Sequence, residues 1–167
     1  MIFILMKGIS PIFLKMENLS EKPYLIEGGF AIDDRGQVSF INDFDFKDVK
    51  RFYITENFST DTIRAFHGHF KEAKYVLVVS GSALVVAVKI DDPKNPSKDQ
   101  ELHRVVLSSK KPAVLYIPLG YANGFRALEK DTKVIFFSTS SLEESKKDEY
   151  RFPYNYWGED VWKVENR

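Results

Sequence analysis

The sequence predicts an all-β domain with little helix, in which an antiparallel sheet closes into a barrel or folds over as a jelly-roll sandwich. Two observations predict it. Hydrophobic residues recur mostly with a period of two rather than 3.6, and the apolar segments are short, rich in Val, Ile, Phe and Tyr, and separated by turn signals. About ten such strands in 167 residues must hide their edges, which favours a closed or folded-over sheet in a single domain.

Each predicted strand is bounded by residues that favour turns. The strands are Tyr24–Ile32, Gln37–Ile41, Arg51–Glu56, Thr62–His69, Lys74–Ser80, Ala83–Ile90, Glu101–Leu107, Ala113–Ile117, Gly124–Leu128 and Thr132–Phe137. The turns are Asp33–Gly36, Ser80–Ser82, Asp91–Pro96, Lys110–Pro112 and Pro118–Gly120. Val76–Val79 and Leu84–Val88 are continuously apolar, which predicts a hairpin that is buried on both faces.

The N-terminal residues are apolar but too few to cross a membrane. Met1–Met6 is followed by Lys7, and no basic segment precedes it, so it lacks the pattern of a signal peptide. We therefore expect this stretch to be an arm or an edge strand of a cytoplasmic protein, within an N-terminal arm over residues 1–24. A frayed terminus upstream of a start near Met16 is the alternative interpretation.

The C-terminal region carries the helix signal of the chain and a cluster of aromatic residues. Ser141-Leu-Glu-Glu144 has the Ser-x-x-Glu pattern of a capping box, which predicts a short helix. The aromatic stretch Tyr150–Trp157 is interrupted by Pro153, so we expect it to pack across the barrel mouth as a coil. This divides the chain into the arm, a barrel over residues 25–142 and an aromatic cap over residues 143–167.

Composition excludes several classes of function. Lys plus Arg is 24 and Asp plus Glu is 24, so the chain lacks the basic excess of a nucleic-acid binder. It contains no Cys, which excludes disulfides, iron–sulfur clusters, Cys-ligated zinc and thiol nucleophiles. No glycine-rich phosphate loop is present. We expect neither a nucleic-acid partner nor a membrane partner.

The segment that indicates chemistry is Arg64-Ala-Phe-His67-Gly-His69. Residues two apart in a strand share a face, so His67 and His69 point to the same side. If that side is the barrel interior, one strand delivers a guanidinium and two imidazoles into a cavity. Two surface histidines on a polar strand face are the alternative. The chain has only three His, and we assign His103 no role.

The spacing around these histidines resembles that of the cupin superfamily. His67-Gly-His69 is followed after four residues by Lys74 and after six more by Gly81, and a second motif follows at Pro118–Asn123. The resemblance implies a cupin double-stranded β-helix, that is, a jelly-roll barrel. Two of the four metal-ligand positions differ, because Lys74 stands for a Glu and Asn123 for a His. An ammonium repels a divalent cation, so we expect a metal-free cupin without a cofactor.

A closer resemblance is to cupins that act on sugar nucleotides, the dTDP-4-dehydrorhamnose 3,5-epimerases and the dTDP-4-keto-6-deoxyhexose 3,4-ketoisomerases. The epimerase motifs are matched in order by Asp33–Gly36, Arg64–His67, Lys74–Gly81, Val86–Pro93 and Ile117–Phe125. The ketoisomerase pattern Arg-x-x-His-Ala-His is matched by Arg64–His69. The resemblance extends over residues 25–142.

This resemblance implies a reaction and a set of residues. A base removes a proton from a carbon next to the ketone of a 4-keto sugar, and the enolate oxygen needs a donor in a dry cavity. By resemblance His67 is the base and Lys74 the donor, with His69 or Asn123 assisting. The residues implied for binding the diphosphate, the thymine and the sugar are Arg64, Arg35, Asn123, Tyr121, Tyr53 and Tyr150.

Two departures from the epimerase motifs leave the reaction open. The region Ser138–Leu142 lacks the epimerase Tyr, and Asn123 replaces the second His. Single epimerisation, 3,4-ketoisomerisation and a non-catalytic sugar-nucleotide binder therefore remain, while a metal-dependent cupin enzyme rests on the His pair alone. The expected setting is deoxysugar synthesis for a surface polysaccharide. The resemblance also implies a homodimer through N-terminal strands such as Met1–Met6 and Ile12–Leu14.

Overall fold

Two five-stranded antiparallel sheets face each other across one core in the computed structural model, which describes residues 21–166. The strands are β1 (Tyr24–Glu27), β2 (Gly29–Asp33), β3 (Gly36–Phe40), β4 (Arg51–Glu56), β5 (Ile63–His69), β6 (Lys74–Ser80), β7 (Ser82–Lys89), β8 (Leu102–Ser108), β9 (Ala113–Ile117), β10 (Tyr121–Ala127), β11 (Lys133–Ser138) and β12 (Tyr150–Arg151). Sheet one has the order β1-β9-β6-β11-β4, sheet two has the order β12-β5-β10-β7-β8, and β2 and β3 form a separate hairpin. The predicted all-β jelly roll is confirmed.

Most strand boundaries lie within one residue of the prediction, and the two larger differences both involve a glycine. The predicted strand Tyr24–Ile32 is divided into β1 and β2 at Gly28, where a Cβ would lie 2.2 Å from the Phe40 carbonyl oxygen. β10 begins at Tyr121, three residues before the predicted start. The dipeptide Asn123-Gly124 usually marks a turn, but here it lies within the strand.

The predicted hairpin between β6 and β7 is wrong, although the prediction of burial holds for β7. β6 pairs with β9 and β11 in sheet one, whereas β7 pairs with β8 and β10 in sheet two. Gly81 connects them with a φ of +70°, and a Cβ there would lie 2.3 Å from Thr132 Oγ1. β7 is an interior strand of its sheet and is buried from Ser82 to Val88, while Val79 of β6 is 47% exposed.

Alternate residues of the strands fill three hydrophobic clusters, one between the sheets and one on the outer face of each sheet. Val76, Val85, Leu115 and Val134 belong to the core between the two sheets. The opposite face of sheet two is covered by the C-terminal segment, whose aromatic residues Phe152, Trp157 and Trp162 pack with Phe66. The segment therefore covers the outer face of sheet two rather than the barrel mouth, and its first residues form β12 against β5. The reason is that Phe66 and its neighbours leave an apolar sheet face that must be covered.

The predicted helix forms where the capping box places it. α1 spans Leu142–Lys147, and a short 3-10 helix spans Glu159–Trp162. The backbone N–H of Glu144 donates to Ser141 Oγ at 3.2 Å, and the N–H of Ser141 donates to Glu144 Oε2 at 2.8 Å. Lys50 Nζ also donates to Glu144 Oε2, at 2.9 Å. The hydrogen bonds from Lys50 and Ser141 lower the pKa of Glu144 from its ordinary 4.5 to about 2.

Replacing Glu144 by glutamine should flatten the acid side of the stability curve. A carboxyl whose pKa is lower in the folded state stabilises the fold above its unfolded pKa, and this stabilisation is lost as the pH falls from 4.5 to about 2. Glutamine retains the capping box but cannot titrate. Thermal unfolding followed by circular dichroism between pH 2 and pH 5 measures the effect. Glu143→Gln is the matched control, and equal pH slopes in all three proteins would contradict the prediction.

The predicted N-terminal arm lies largely outside the described residues. Met1–Met6 and Ile12–Leu14 fall in residues 1–20, so the arm and the homodimer stay predictions. Within residues 21–166, no helix has the length and apolar character needed to span a bilayer.

Candidate functional site

A cavity of about 500 Å³ lies between the two sheets and contains most of the predicted site residues. β4, β5, β6, β10 and β11 supply its walls, and α1, Glu149 and Arg151 of β12 complete its lining. The predicted residues that line it are His67, His69, Lys74, Arg64, Asn123 and Tyr53. The two histidines therefore face the interior of the barrel rather than a polar outer surface.

An irregularity in β5 brings Arg64 into the cavity beside the histidines. Residues three apart in a regular strand point to opposite faces, so Arg64 and His67 would be separated by the sheet. β5 pairs with β10, where Asn123 lies opposite His67 and Phe125 lies opposite Arg64. Two steps along β10 therefore face three steps along β5, so β5 contains one extra residue. This bulge turns the strand and places both side chains in the cavity. Gly124 allows it, because a Cβ there would lie 2.3 Å from the Ala65 Cβ.

His67 is paired with a carboxylate that the sequence analysis did not identify. Its Nδ1 lies 3.0 Å from Glu149 Oε1, and Arg151 Nη2 lies 3.1 Å from the same oxygen. Partial burial would raise the pKa of Glu149, but the hydrogen bonds with His67 and Arg151 outweigh it and hold this pKa below its usual value. Glu149 is therefore charged near neutral pH and orients the imidazole, which leaves Nε2 to act in the cavity.

Lys74 lies deep in the cavity wall, next to a buried carboxylate. The side chain of Lys74 is only 6% exposed, and its Nζ lies 3.9 Å from Glu72 Oε1. Burial lowers the pKa of Lys74, the charge of Glu72 opposes this, and the charge of Arg51 lowers the pKa further. Glu72 itself is completely buried. Glu72 was not predicted as a site residue, because it lies between Lys71 and Lys74 in a charged stretch that is typical of an exposed surface.

Asn123 and His69 complete the group on the wall of sheet two. The amide of Asn123 donates to the carbonyl of His67 at 3.1 Å, so it links β10 to β5 at the site. His69 is 3% exposed, and its Nδ1 lies 3.4 Å from Glu72 Oε2. Burial lowers the pKa of His69, the charge of Lys74 lowers it further, and the charge of Glu72 partly opposes both.

Positive charge dominates the cavity lining. Arg51, Arg64, Lys74, Lys146 and Arg151 line it, whereas Glu149 is the acidic residue among the lining residues. The Nε of Arg64 donates to Asn57 Oδ1 at 2.7 Å, and the Nε of Arg51 donates to the Ser140 carbonyl at 3.1 Å, so both guanidinium groups are held in place. Such a cavity favours an anionic ligand, and fixed guanidinium groups suit phosphate oxygens.

Tyr53 lies on β4, in the sheet that faces His67. Its ring stacks on Phe136 with centroids 5.2 Å apart and an interplanar angle of 10°. Burial raises its pKa to about 12, and the charge of Glu72 adds to this. The hydroxyl therefore keeps its proton at neutral pH and can donate a hydrogen bond to a ligand.

Three predicted binding residues are not brought to the cavity of this chain. Arg35 lies in the exposed turn between β2 and β3, where its side chain is 85% exposed and paired with Asp33. Tyr121 is buried in the core, and its hydroxyl donates to the Glu21 carbonyl at 3.2 Å. Tyr150 packs edge-on against Phe70, while its neighbours at 149 and 151 face the cavity, as alternation along a strand requires.

The donor set does not resemble a metal centre. Within residues 21–166, no group of three or more His, Asp or Glu side chains is arranged so that it could hold a metal ion. The ammonium of Lys74 lies near Glu72, and Glu72 in turn lies near His69, so a cation entering here would meet a positive charge.

Most of the chain is similar in sequence to known proteins. A family model described as dTDP-4-dehydrorhamnose 3,5-epimerase matches residues 21–154. The chain is 30% identical over 94 residues to the spore coat polysaccharide biosynthesis protein SpsL of Bacillus subtilis (strain 168). That match spans 56% of this chain and 61% of the relative, so the chain spans less than two thirds of the relative's length.

Solved structures with a similar fold include an epimerase and a ketoisomerase. The dTDP-4-dehydrorhamnose 3,5-epimerase from Sulfolobus tokodaii has a TM-score of 0.66 and 26% identity, covering 84% of this chain and 82% of its own. A second structure is that of QdtA, a sugar 3,4-ketoisomerase from Thermoanaerobacterium thermosaccharolyticum in complex with TDP. It has a TM-score of 0.61 and 19% identity, and the match covers 84% of this chain and 95% of QdtA. At 19% identity the second likeness concerns the fold alone.

Proposed function

Because the chain belongs to the dTDP-4-dehydrorhamnose 3,5-epimerase family, which includes dTDP-sugar epimerases and isomerases, we propose that it removes a proton next to the ketone of a nucleotide-linked 4-keto-6-deoxy sugar. The product is an epimer or the 3-keto isomer, made without a metal ion. The likeness to a protein of spore coat polysaccharide biosynthesis supports a role in deoxysugar synthesis for a surface polysaccharide.

The observation that carries this proposal is the pair formed by His67 and Glu149 in the same cavity as the buried ammonium of Lys74. His67 Nε2 takes the proton, and the electron pair of the broken C–H bond moves into the enolate. Lys74 donates a hydrogen bond to the enolate oxygen, and the low exposure of its side chain strengthens that interaction. Return of a proton to carbon completes the reaction and restores the ketone.

The cationic residues support the choice of substrate. A nucleoside diphosphate carries two charged phosphate groups, and Arg51, Arg64 and Arg151 offer guanidinium groups on the cavity wall. Tyr53 keeps its proton and presents an aromatic ring, so it can contact the base or the sugar. Arg35 would have to act from outside this cavity.

A second candidate reaction within the family is favoured by the histidine pair. Both His67 and His69 line the cavity, so a proton removed from C3 can be delivered to the neighbouring C4 by imidazoles on one strand. By resemblance, an epimerase Tyr is expected in the region that begins at Ser138. Ser138 is buried, and its hydroxyl donates a hydrogen bond to Glu72. These features support 3,4-ketoisomerisation or single epimerisation over double epimerisation.

Incubation with dTDP-4-keto-6-deoxyglucose in D₂O tests the proposal. We expect deuterium in the sugar above the level of an enzyme-free control, measured by mass spectrometry and located by NMR. Label at C3 with the ketone still at C4 supports single epimerisation, and label at C4 with the ketone moved to C3 supports 3,4-ketoisomerisation. Label at both C3 and C5 supports double epimerisation. Binding without any label or rearrangement would overturn the proposal in favour of a non-catalytic sugar-nucleotide binder.

A further inference from the structure

Glu72 is the completely buried carboxylate beneath the cavity, between His69, Lys74 and Arg51. We propose that Glu72 is a positioning residue, which fixes the tautomer of His69 so that its unprotonated Nε2 faces the cavity and anchors the ammonium of Lys74 beside it. The catalytic consequence rests on the proposed function, whereas the tautomer does not.

The two oxygens of Glu72 have different partners. Oε1 accepts a hydrogen bond from Ser138 Oγ at 2.8 Å, and it is also the oxygen nearest Arg51 Nη2, at 3.5 Å, and Lys74 Nζ, at 3.9 Å. Among the residues that the structure describes, Oε2 has no hydrogen-bond partner, and it faces His69 Nδ1 at 3.4 Å. Oε1 therefore interacts with the cations, and Oε2 is placed to accept a hydrogen bond from an N–H of the imidazole.

His69 Nδ1 is likewise buried and has no hydrogen-bond partner within residues 21–166, so the two unpartnered atoms face each other. A lone pair on Nδ1 would point at the lone pairs of a carboxylate, and leaving both buried atoms unsatisfied would destabilise the fold. A proton on Nδ1 removes both problems. A neutral imidazole carries only one N–H, so Nε2 is then an acceptor, and it is the nitrogen left to face the cavity that His69 lines.

This arrangement gives the site a second imidazole with a defined role. His67 is oriented by Glu149 from one side, and His69 is oriented by Glu72 from below. Glu72 and Lys74 lie two residues apart, so one stretch of chain supplies both the orienting carboxylate and the ammonium. Loss of the carboxylate should therefore disturb proton transfer rather than substrate binding.

The tautomer can be read directly in the wild-type protein without substrate. The chain has only three histidines, so long-range ¹H–¹⁵N correlation spectra of uniformly ¹⁵N-labelled protein resolve each ring, and histidine variants assign them. We expect His69 to carry its proton on Nδ1 at neutral pH. A proton on Nε2 of His69 in the wild-type protein would overturn the proposal, whatever the variants do.

Glu72→Gln gives the sharpest second test. The amide oxygen should stay with Ser138 and the two cations, which turns the NH₂ group toward His69 Nδ1 and moves the imidazole proton to Nε2. Glu72→Asp should retain the wild-type tautomer. Glu129→Gln is the matched control, because Glu129 also accepts a hydrogen bond from a serine, Ser82 Oγ at 2.6 Å, but does not line the cavity. An unchanged tautomer in Glu72→Gln would contradict the assignment.

Kinetics separate positioning from a structural role. Glu72→Gln should lower kcat by about 10- to 100-fold, the size expected when a carboxylate that orients a functional histidine is lost, with KM within about threefold of wild type. Glu72→Asp should recover part of kcat, and Glu129→Gln should leave it unchanged. A rise in KM without a fall in kcat would contradict positioning. If the wild-type protein shows no turnover, the proposed function fails while the NMR result still decides the tautomer.

Discussion

Replacing His67 by glutamine should lower kcat for the 4-keto sugar by roughly 10²- to 10⁴-fold, the range that a positioned general base contributes. The amide cannot take a proton from carbon at neutral pH, although it can still accept or donate a hydrogen bond to Glu149. The guanidinium groups that would hold the diphosphate are untouched, so KM should change little. Deuterium incorporation from D₂O and product formation measure both parameters.

His103→Gln is the matched control for this substitution. His103 lies on β8 beside Tyr121 and does not line the cavity, so the same change there should leave kcat at the wild-type value. Unfolding temperatures of both variants verify that the fold is intact. If His67→Gln incorporated deuterium at the wild-type rate, His67 would not be the base, and His69 would be the next residue to test.

The parts of the site that lie on regular strands could be predicted from the sequence. Alternation along β5 places His67 and His69 on one face, and the resemblance to known motifs indicated that this face is the interior. Lys74 and Asn123 also line the cavity, although Asn123-Gly124 is a common turn signal. The strands themselves were predictable because a barrel with few helices leaves a clear period-two pattern.

Contacts made through space could not be predicted in this way. Glu149 and His67 are 82 residues apart, and neither the helix pattern nor the strand pattern indicates that α1 returns the chain to β5. Arg51 lies on a strand whose interior face is recognisable only once the sheet order is known. The position of Arg64 depends on a bulge, which shifts the register by one residue and has no reliable signal in a single sequence.

The hairpin and the aromatic segment show how local pattern differs from global packing. A short turn between two apolar runs normally joins neighbouring strands, yet Gly81 carries the chain from one sheet to the other. Likewise, the aromatic stretch after α1 had to cover an apolar face, and only the structure identifies which one. In both cases the local sequence pattern predicts that the segment is buried, whereas the strand or sheet face against which it packs depends on how the jelly roll closes.

Replacing Lys74 by methionine should lower kcat by roughly 10²- to 10³-fold, the cost of losing one donor to a developing oxyanion. Methionine has nearly the same length but cannot donate a hydrogen bond to the enolate. Burial lowers the pKa of Lys74, while the charge of Glu72 opposes this. Loss of the ammonium removes one partner of the buried Glu72, which keeps Ser138 and Arg51, so the variant should unfold at a lower temperature but still cooperatively.

Lys71→Met tests whether the effect belongs to the cavity. Lys71 is exposed and lies three residues before Lys74, so the same substitution there removes an equal charge from the surface and should leave kcat unchanged. If Lys74→Met retained wild-type turnover, the enolate would be stabilised by another group, and Arg51 would become the nearest candidate. If Lys74→Met instead lost turnover together with its unfolding transition, the ammonium would serve to neutralise Glu72. Only loss of kcat in a stably folded Lys74→Met protein, with Lys71→Met fully active, assigns the ammonium to the chemistry.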